Sequence, residues 1–145
     1  MSALTCYNFR MTITICGSIK FYDEMLDVKS KLEAAGHDVL MPIKAEGVDY
    51  WSEDNTSRVE AKKKFGFISE HMDKIDKSDA ILVVNITKGD MENYIGANTF
   101  LEMGFAYYRN KTVYLLNGIP DQKYIDDEIS TIEPIIINGD LSGVV

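Results

Sequence analysis

Residues 80–86, with the sequence AILVVNI, form the most hydrophobic segment of the chain and predict a strand that is buried on both faces. Two similar runs flank it in sequence, Thr12–Cys16 (TITIC) before it and Thr112–Leu116 (TVYLL) after it. Continuous apolar strands of this kind are typical of parallel sheets, because helices cover both faces of such sheets. The class of fold therefore depends on what separates these three runs.

In the segments between the strands, apolar residues recur at the spacing of a helix. Three of the predicted helices are Phe21–Ala35, Arg58–Lys77 and a short Asp121–Ser130. A fourth carries Glu102 in its first turn and runs to Arg109-Asn110-Lys111. The remaining strands are His37–Met41 and Pro134–Ile137. This alternation predicts an α/β fold with a doubly wound, flavodoxin- or Rossmann-like parallel sheet of five strands. We expect a single domain over residues 11–145, preceded by an N-terminal extension, residues 1–10.

The predicted topology also indicates where a ligand would bind. Ligands of doubly wound sheets occupy a crevice at the carboxyl ends of the strands, near the point where the strand order reverses. Three loops should meet there, namely Gly17–Phe21, Pro42–Ser57 and Asn85–Thr99. This arrangement places Glu102 beside the turn after the first strand, although about 85 residues separate the two in sequence.

Composition narrows the classes of partner. The chain has 145 residues, a hydrophobic fraction of 46% and a formal charge of −8, which suits one compact domain and disfavours binding to polymeric nucleic acid. The one basic cluster, Lys62-Lys63-Lys64, has acids nearby and is interpreted as a solvated helix face. No apolar run approaches about 18 residues and no secretory signal is recognisable, so we expect a cytoplasmic protein without membrane association.

The two cysteines, Cys6 and Cys16, have no spacing that is typical of a metal or redox site. Cys16 is interpreted as a buried strand residue. The sequence therefore implies no metal.

Glu102 is the strongest candidate for a functional residue. A single carboxylate that enters an apolar helix is costly to desolvate unless it has partners or a chemical task. A structural alternative exists, because Thr99-Phe100-Leu101-Glu102 fits a capping box, in which the glutamate bonds back to the helix start. A position near a helix N-terminus would also help the carboxylate to stay ionised.

Other candidates have both functional and structural interpretations. The turn Gly17-Ser18-Ile19-Lys20 can cradle an anion with backbone amides and one lysine, or can be an ordinary strand-to-helix connection. Tyr50 and Trp51 can stack on a base or anchor a long loop. His71 can be a surface or hydrogen-bonded histidine, and Asp76 and Asp79 can cap or end their helix.

Three segments taken together resemble the nucleoside 2-deoxyribosyltransferase superfamily, which includes deoxynucleoside 5′-monophosphate N-glycosidases. The segments are ICGSIK after the first strand, SDAILVVN at the third strand, and YIGANTFLEMGFAYYRNK. The resemblance covers roughly residues 12–140, and its sharpest part is Glu102-Met103-Gly104 after a glycine-containing loop.

The resemblance implies cleavage or transfer of an N-glycosidic bond of a (deoxy)nucleoside or its 5′-monophosphate. The glutamate that matches Glu102 is the family's nucleophile, and water or a second base resolves a covalent glycosyl-enzyme. Gly17, Ser18 and Lys20 match a run that binds the 5′-phosphate, although Lys20 replaces an expected arginine. No cofactor is implied. A homodimer or higher homo-oligomer is expected, with the segment Asp127–Ile132 as a candidate to complete a neighbour's site.

The sequence departs from the family pattern at three further positions. His71 stands where the family has an aspartate that is implicated in protonating the leaving base. Histidine can donate a proton near neutral pH, so His71 is the first candidate for this role, with Asp79 or Asp76 as alternatives. Gly96 and Asn98 replace a serine and a glycine that help to hold phosphate. In this interpretation, Tyr50 and Trp51 stack on the base.

Two other functions remain open on sequence grounds. One is a phosphoribohydrolase of the lysine-decarboxylase-like group, which would need a phosphate loop richer in glycine than YIGANT. The other is a non-catalytic nucleotide-sensing module.

Overall fold

The computed structural model describes residues 9–145, so residues 1–8 of the predicted extension lie outside the described residues. The strands are β1 Thr12–Cys16, β2 Asp38–Leu40, β3 Ala80–Val83, β4 Thr112–Leu115 and β5 Ile135–Ile136. The helices are α1 Tyr22–Ala34, α2 Thr56–Phe65, α3 Phe67–Asp76, α4 Ala97–Tyr108 and α5 Asp126–Ile132. None of the described helices is long and apolar enough to cross a membrane.

The five strands form one parallel sheet in the order β2-β1-β3-β4-β5. This order confirms the predicted doubly wound fold. The chain moves to one side of β1 to make β2 and then to the other side to make β3, so the switch point lies between β1 and β3. The register places Cys16, the last residue of β1, opposite Val83 at the same carboxyl edge.

Side-chain alternation along the strands builds a core on each face of the sheet. Ile13 and Ile15 of β1 pack with Met25 and Leu32 of α1 on one face. On the other face, Cys16 joins the core that also contains residues of α3, α4 and α5, namely Ile75, Met103, Ala106 and Ile129. The last residue of β1 therefore faces α3 and α4.

The predicted helix Arg58–Lys77 is instead two helices that are separated by Gly66. Gly66 has φ 60° and ψ 39°, a left-handed conformation that ends α2 and starts α3. Glycine adopts this conformation readily because it has no Cβ, whereas the apolar periodicity of the segment does not reveal the break. The turn redirects the chain, and α3 buries His71 and Ile75.

Other boundaries differ as well, and the third strand ends at Val83 rather than at residue 86. The last helix begins at Asp126 rather than Asp121, because Gln122 is buried and pairs with the backbone N–H and carbonyl of Ile95. The fifth strand is reduced to Ile135–Ile136.

Replacing Gly66 with alanine should lower the free energy of unfolding by about 1–2 kcal/mol, because an L-residue is strained in the left-handed region. A Cβ at this position would meet no atom within 4 Å, so backbone strain alone is tested. Gly104→Ala, in an exposed and equally open position of α4, is the matched control and should raise stability by about 0.5–1 kcal/mol. Urea unfolding measures the free energy of unfolding of both variants. Equal changes in the two would contradict the left-handed break between α2 and α3 at Gly66.

Candidate active site

A crevice opens at the carboxyl edge of the sheet, beside the switch point between β1 and β3. Two of the three predicted loops line it, those after β1 and β2, whereas the third predicted segment contributes only Asn98, which lies in α4. The helices α2 and α3 also line it, a contribution that the sequence analysis missed. The lining residues are Gly17, Ile19, Pro42, Ile43, Tyr50, Arg58, Ala61, Lys62, Phe67, Ile68, His71, Asn98 and Glu102.

Glu102 lies in the second turn of α4 rather than in the first. The helix is capped by Gly96 and starts at Ala97, so Thr99 is inside the helix and the capping-box interpretation is wrong. The carboxylate accepts a hydrogen bond from the side-chain Nδ2 of Asn98, one turn earlier, with Asn98 Nδ2 and Glu102 Oε1 2.9 Å apart. Positions four residues apart share a helix face, so Asn98 and Glu102 both reach the crevice.

Burial dominates the electrostatics of Glu102. The residue is 5% exposed, and desolvation raises the pKa of its carboxyl from 4.5 to about 7. A hydrogen bond from the Cys16 thiol and the positive charge of Lys62 act in the opposite direction but are weaker. The expectation that a helix N-terminus would keep this carboxylate ionised is therefore corrected, because burial outweighs the helix dipole at this position.

His71 lies directly against Glu102. Its Nε2 atom is 3.7 Å from Glu102 Oε2 and 3.6 Å from Cys16 Sγ, and the residue is 4% exposed. Its other ring nitrogen, Nδ1, is buried and has no hydrogen-bond partner among the described residues. The structure thus brings the predicted histidine to the predicted glutamate.

The expected use of His71 as a cationic proton donor needs correction. Burial, together with the nearby charge of Lys74, lowers the pKa of His71 from 6.5 to about 4. The imidazole is therefore neutral at neutral pH. A neutral imidazole can accept a hydrogen bond or donate a weak one to Glu102, but it is a poor acid for a leaving base.

Asp79 and Asp76 lie away from this cluster. Asp79 Oδ2 accepts from the backbone N–H of Thr12 (2.8 Å) at the start of β1, about 13 Å along the strand from Cys16. Asp76 pairs with Arg109 just beyond the end of α4, with Arg109 Nε 2.6 Å from Asp76 Oδ1. This placement corrects the prediction that either aspartate replaces His71 as proton donor.

Cys16 is the third member of the cluster, and its part in the site was not foreseen. The residue is fully buried, as expected for a strand, but its thiol points to the side of the sheet that Glu102 and His71 occupy. Burial and the neighbouring Glu102 raise the pKa of the Cys16 thiol well above its ordinary value. The sequence could have indicated this contact, because Cys16 ends the first strand.

The turn after β1 is closely packed. A Cβ on Gly17 would lie 3.1 Å from Met25 Sδ and 3.3 Å from the carbonyl oxygen of Val84, so a larger residue would push the turn away from β3. Ser18 has extended backbone angles and precedes a short 3-10 turn, Ile19–Phe21. This conformation opens the turn toward the crevice, where Gly17 and Ile19 are both exposed to it.

Two lysines lie side by side near the crevice. Lys20 Nζ is 4.8 Å from the ring centroid of Trp51, and Lys88 Nζ is 4.7 Å from that of Tyr94. Burial, the adjacent Lys88 and the charge of Arg58 lower the pKa of Lys20. Like charges held together in an otherwise acidic protein favour binding of an anion between them. Lys88 is a candidate that sequence reasoning missed.

The loop between β2 and α2 is held over the crevice by its own contacts. The hydroxyl oxygen of Tyr50 accepts from the backbone N–H of Ala45 (2.9 Å), and Tyr50 lines the crevice. Arg58 Nη1 donates to the backbone carbonyl of Ser52. Trp51 is 65% exposed and available for stacking from its free face. Arg58 therefore anchors the loop, and of the two predicted aromatic residues Tyr50 lines the crevice whereas Trp51 lies outside the lining.

Two buried amides fix the loops around Glu102. Asn85, directly after β3, donates to the carbonyls of Asn117 and Gly118 and accepts from the backbone N–H of Asn117 (2.9 Å). Gln122 pairs with both backbone groups of Ile95, one residue before the cap of α4. The Gln122 bonds position the start of α4, and hence Glu102, whereas the Asn85 bonds join the loops that follow β3 and β4.

Comparison with solved structures finds the same fold in other proteins, among them two enzymes. The 2-deoxyribosyltransferase of Bacillus psychrosaccharolyticus superposes with a TM-score of 0.51 and 21% identity, covering 80% of this chain and 80% of that one. The CMP N-glycosidase of Clostridium botulinum superposes with a TM-score of 0.50 and 16% identity, covering 88% and 89%. At such identities the likeness establishes the fold. No family model and no curated protein matches the chain.

The raised pKa of Glu102 predicts how stability depends on pH. The folded-state pKa of about 7 exceeds the ordinary 4.5, so this group stabilises the fold fully below about pH 4.5 and loses that contribution as pH rises through 7. Glu102→Gln removes the ionisation. The free energy of unfolding of the variant, relative to the natural chain, should therefore increase by roughly 3 kcal/mol between pH 4.5 and 8.

Denaturant unfolding at a series of pH values measures this difference. Glu60→Gln, at an exposed position of α2, is the matched control and should change stability by less than about 0.5 kcal/mol throughout. A pH-independent difference for Glu102→Gln would contradict the assigned burial of charge.

Proposed function

We propose that the protein cleaves or transfers the N-glycosidic bond of a (deoxy)nucleoside or its 5′-monophosphate through a covalent intermediate on Glu102. One observation carries the proposal: the single buried carboxylate of the crevice is Glu102, and Asn98 and His71 hold it at the switch point. Ligands of this topology bind at that point. The shared fold with a 2-deoxyribosyltransferase and a CMP N-glycosidase supports the same class of chemistry.

In the proposed reaction, a Glu102 carboxylate oxygen attacks the anomeric carbon as the bond from that carbon to the base nitrogen breaks. The bonding electrons leave with the base, which takes a proton from water, and a glycosyl ester of Glu102 remains. Water or a second base then displaces the ester, so the anomeric configuration is retained overall. Low access of water to the crevice would protect the ester from premature hydrolysis.

Asn98 and His71 are assigned to positioning the nucleophile. Asn98 fixes Oε1 by its amide, and His71 lies against Oε2. With one oxygen held, the other is presented at a defined angle, which matters because the reacting atoms must approach to about 3–3.5 Å. None of the three predicted donors, His71, Asp79 and Asp76, keeps the role of proton donor at neutral pH.

Lys20 and Lys88 are assigned to a 5′-phosphate. They replace the bidentate grip of the expected arginine with two point charges, one from the turn after β1 and one from the loop after β3. The backbone of Gly17 and Ser18 lies in the same turn as Lys20 and adds possible N–H donors. Trp51 and Tyr50 are assigned to stacking on the base, as the sequence suggested.

Substrate entry requires the loop over the crevice to move outward. The enclosed cavity is only about 60 Å³, whereas ligand sites usually measure about 300–1,000 Å³. The segment between β2 and α2, which contains Tyr50 and Trp51, forms one wall. Opening it would admit a nucleotide, and closing it would exclude water from Glu102.

The expected homo-oligomer remains a prediction. The outer face of α4 carries large exposed side chains, with Leu101 54%, Tyr107 53% and Tyr108 79% exposed. The neighbouring α5 contributes Asp127, Glu128 and Thr131 to the same groove. A second copy placed there would cover apolar surface next to the catalytic helix.

Glu102→Ala and Glu102→Gln should lower turnover by roughly 10³-fold or more while both variants stay folded. Base release is measured across a panel of nucleosides and 5′-monophosphates, with and without free bases as acceptors. Since the ionised carboxylate is the nucleophile, kcat/KM should rise with pH up to about 7 and level off above it. Unimpaired turnover in the variants would refute the proposed nucleophile.

The same panel separates the alternative functions. Ligand binding without base release, unchanged by Glu102→Gln, would indicate a nucleotide-sensing module instead. Release of the base only from ribose 5′-monophosphates would favour the phosphoribohydrolase-like alternative.

Lys20→Ala and Lys88→Ala should each weaken binding of 5′-monophosphates by roughly 10–100-fold, because each removes a charge-assisted contact. Binding of the corresponding nucleosides should stay nearly unchanged. Calorimetric titration compares the two ligand types, and Lys123→Ala, at an exposed position before α5, is the matched control. Equal losses for nucleoside and monophosphate would show that the lysines shape the pocket rather than bind phosphate.

A further inference from the structure

We propose that Cys16, His71 and Glu102 form a site for a thiophilic divalent cation such as Zn²⁺, and that occupation of this site switches the protein off. Metal binding is inferred from the positions of the three side chains alone. The inhibitory half rests on the proposed function, because Glu102 is the residue that the metal would capture.

The three donors come from three different elements and converge on one point. Cys16 ends β1, His71 lies in α3 and Glu102 lies in α4. One potential ligand atom of each lies within 4.8 Å of the others. All three residues are buried, so bulk water does not solvate their ligand atoms.

The observed spacing suits tetrahedral zinc. Bonds of about 2.3 Å to sulfur and about 2.0–2.1 Å to nitrogen or oxygen place tetrahedral donors about 3.4–3.6 Å apart. The structure has 3.6 Å between Cys16 Sγ and His71 Nε2, and 3.7 Å between His71 Nε2 and Glu102 Oε2. Small side-chain adjustments would therefore complete the coordination without movement of the backbone.

Charge and proton balance also favour the complex. A thiolate, a carboxylate and a neutral imidazole around one divalent cation have a net charge of zero, which suits a buried position. The thiol proton of Cys16, and that of Glu102 where it is protonated, would pass to solvent as the metal binds. Nε2 of His71 faces Cys16 Sγ and Glu102 Oε2, whereas Nδ1 has no hydrogen-bond partner among the described residues. In the tautomer that carries its proton on Nδ1, Nε2 offers its lone pair to the metal.

The crevice supplies the entry path and the fourth position. His71 and Glu102 line it, whereas Cys16 lies behind them at the end of β1. A water molecule from the crevice could complete the coordination, as in zinc sites with three protein ligands. The sulfur and nitrogen donors select zinc over Mg²⁺ or Ca²⁺, which prefer oxygen ligands. A carboxylate oxygen bound to the metal is no longer free to attack the anomeric carbon.

Cobalt titration tests binding directly, since Co²⁺ reports thiolate ligation by a charge-transfer absorption band. The experiment uses the full chain with Cys6→Ser, so that Cys16 is the only cysteine. We expect one equivalent of Co²⁺ to bind with this band, and excess Zn²⁺ to displace it. Cys16→Ser should abolish the band, and His71→Gln should weaken binding at least about tenfold. His37→Gln, which changes the other histidine, is the control and should bind normally.

Two results would overturn the site: Co²⁺ binding without a thiolate band, or unchanged affinity in Cys16→Ser. Either would indicate adventitious binding to the acidic surface. The inhibitory half is tested by base release with and without Zn²⁺, each variant being compared with its own metal-free rate. Zn²⁺ should inhibit the parent chain, a chelator should restore it, and Cys16→Ser should be at least about tenfold less sensitive.

The two proposals fail in different ways. Metal binding with a thiolate band but no base release from any nucleotide would leave the site standing and refute the function. Base release that saturating Zn²⁺ does not affect, in a protein that shows the band, would overturn the inhibitory half alone.

Discussion

The burial of one carboxylate controls the chemistry of this protein. Glu102 lies 5% exposed between α4, α3 and the end of β1, and that position raises its pKa to about 7. The free-energy cost of burying the Glu102 carboxylate is partly offset, because Asn98 donates a hydrogen bond to it and His71 lies beside it. The same desolvation keeps His71 neutral by lowering its pKa to about 4. Buried groups whose pKa values are shifted in this way, in a crevice at a switch point, are typical of a functional site.

The surrounding charges complement this nearly neutral centre. The chain as a whole carries −8, yet Lys20 and Lys88 are held together beside aromatic rings near the crevice, and Lys62 and Arg58 line it. An anionic group would be drawn to the lysines, while Glu102 deeper in the crevice would face the uncharged part of the same ligand. A sugar phosphate with a base attached has this distribution of charge.

The sequence predicted the fold well because strand hydrophobicity and strand order are strong signals. It also brought Glu102, Asn98 and Gly17 to one crevice, since parallel strands share a carboxyl edge. His71 became a candidate through the family resemblance, and the lining of the crevice by its helix, α3, was not expected. It missed the break at Gly66, which depends on backbone conformation and not on apolar spacing. It assigned ordinary acidity to His71 and a capping role to Glu102 as an alternative, because burial of an individual side chain cannot be deduced from one chain. Lys88 and Cys16 became candidates only when the fold placed them beside predicted residues.

Direct detection of the glycosyl ester tests the central claim. The protein is acid-quenched during turnover of a 5′-monophosphate, digested, and analysed by peptide mass spectrometry. We expect a pentosyl or deoxypentosyl adduct on the peptide that contains Glu102, with fragmentation that places it on this residue. Turnover without an adduct, accompanied by inversion at the anomeric carbon in the released sugar, would show direct attack by water and contradict a nucleophilic Glu102.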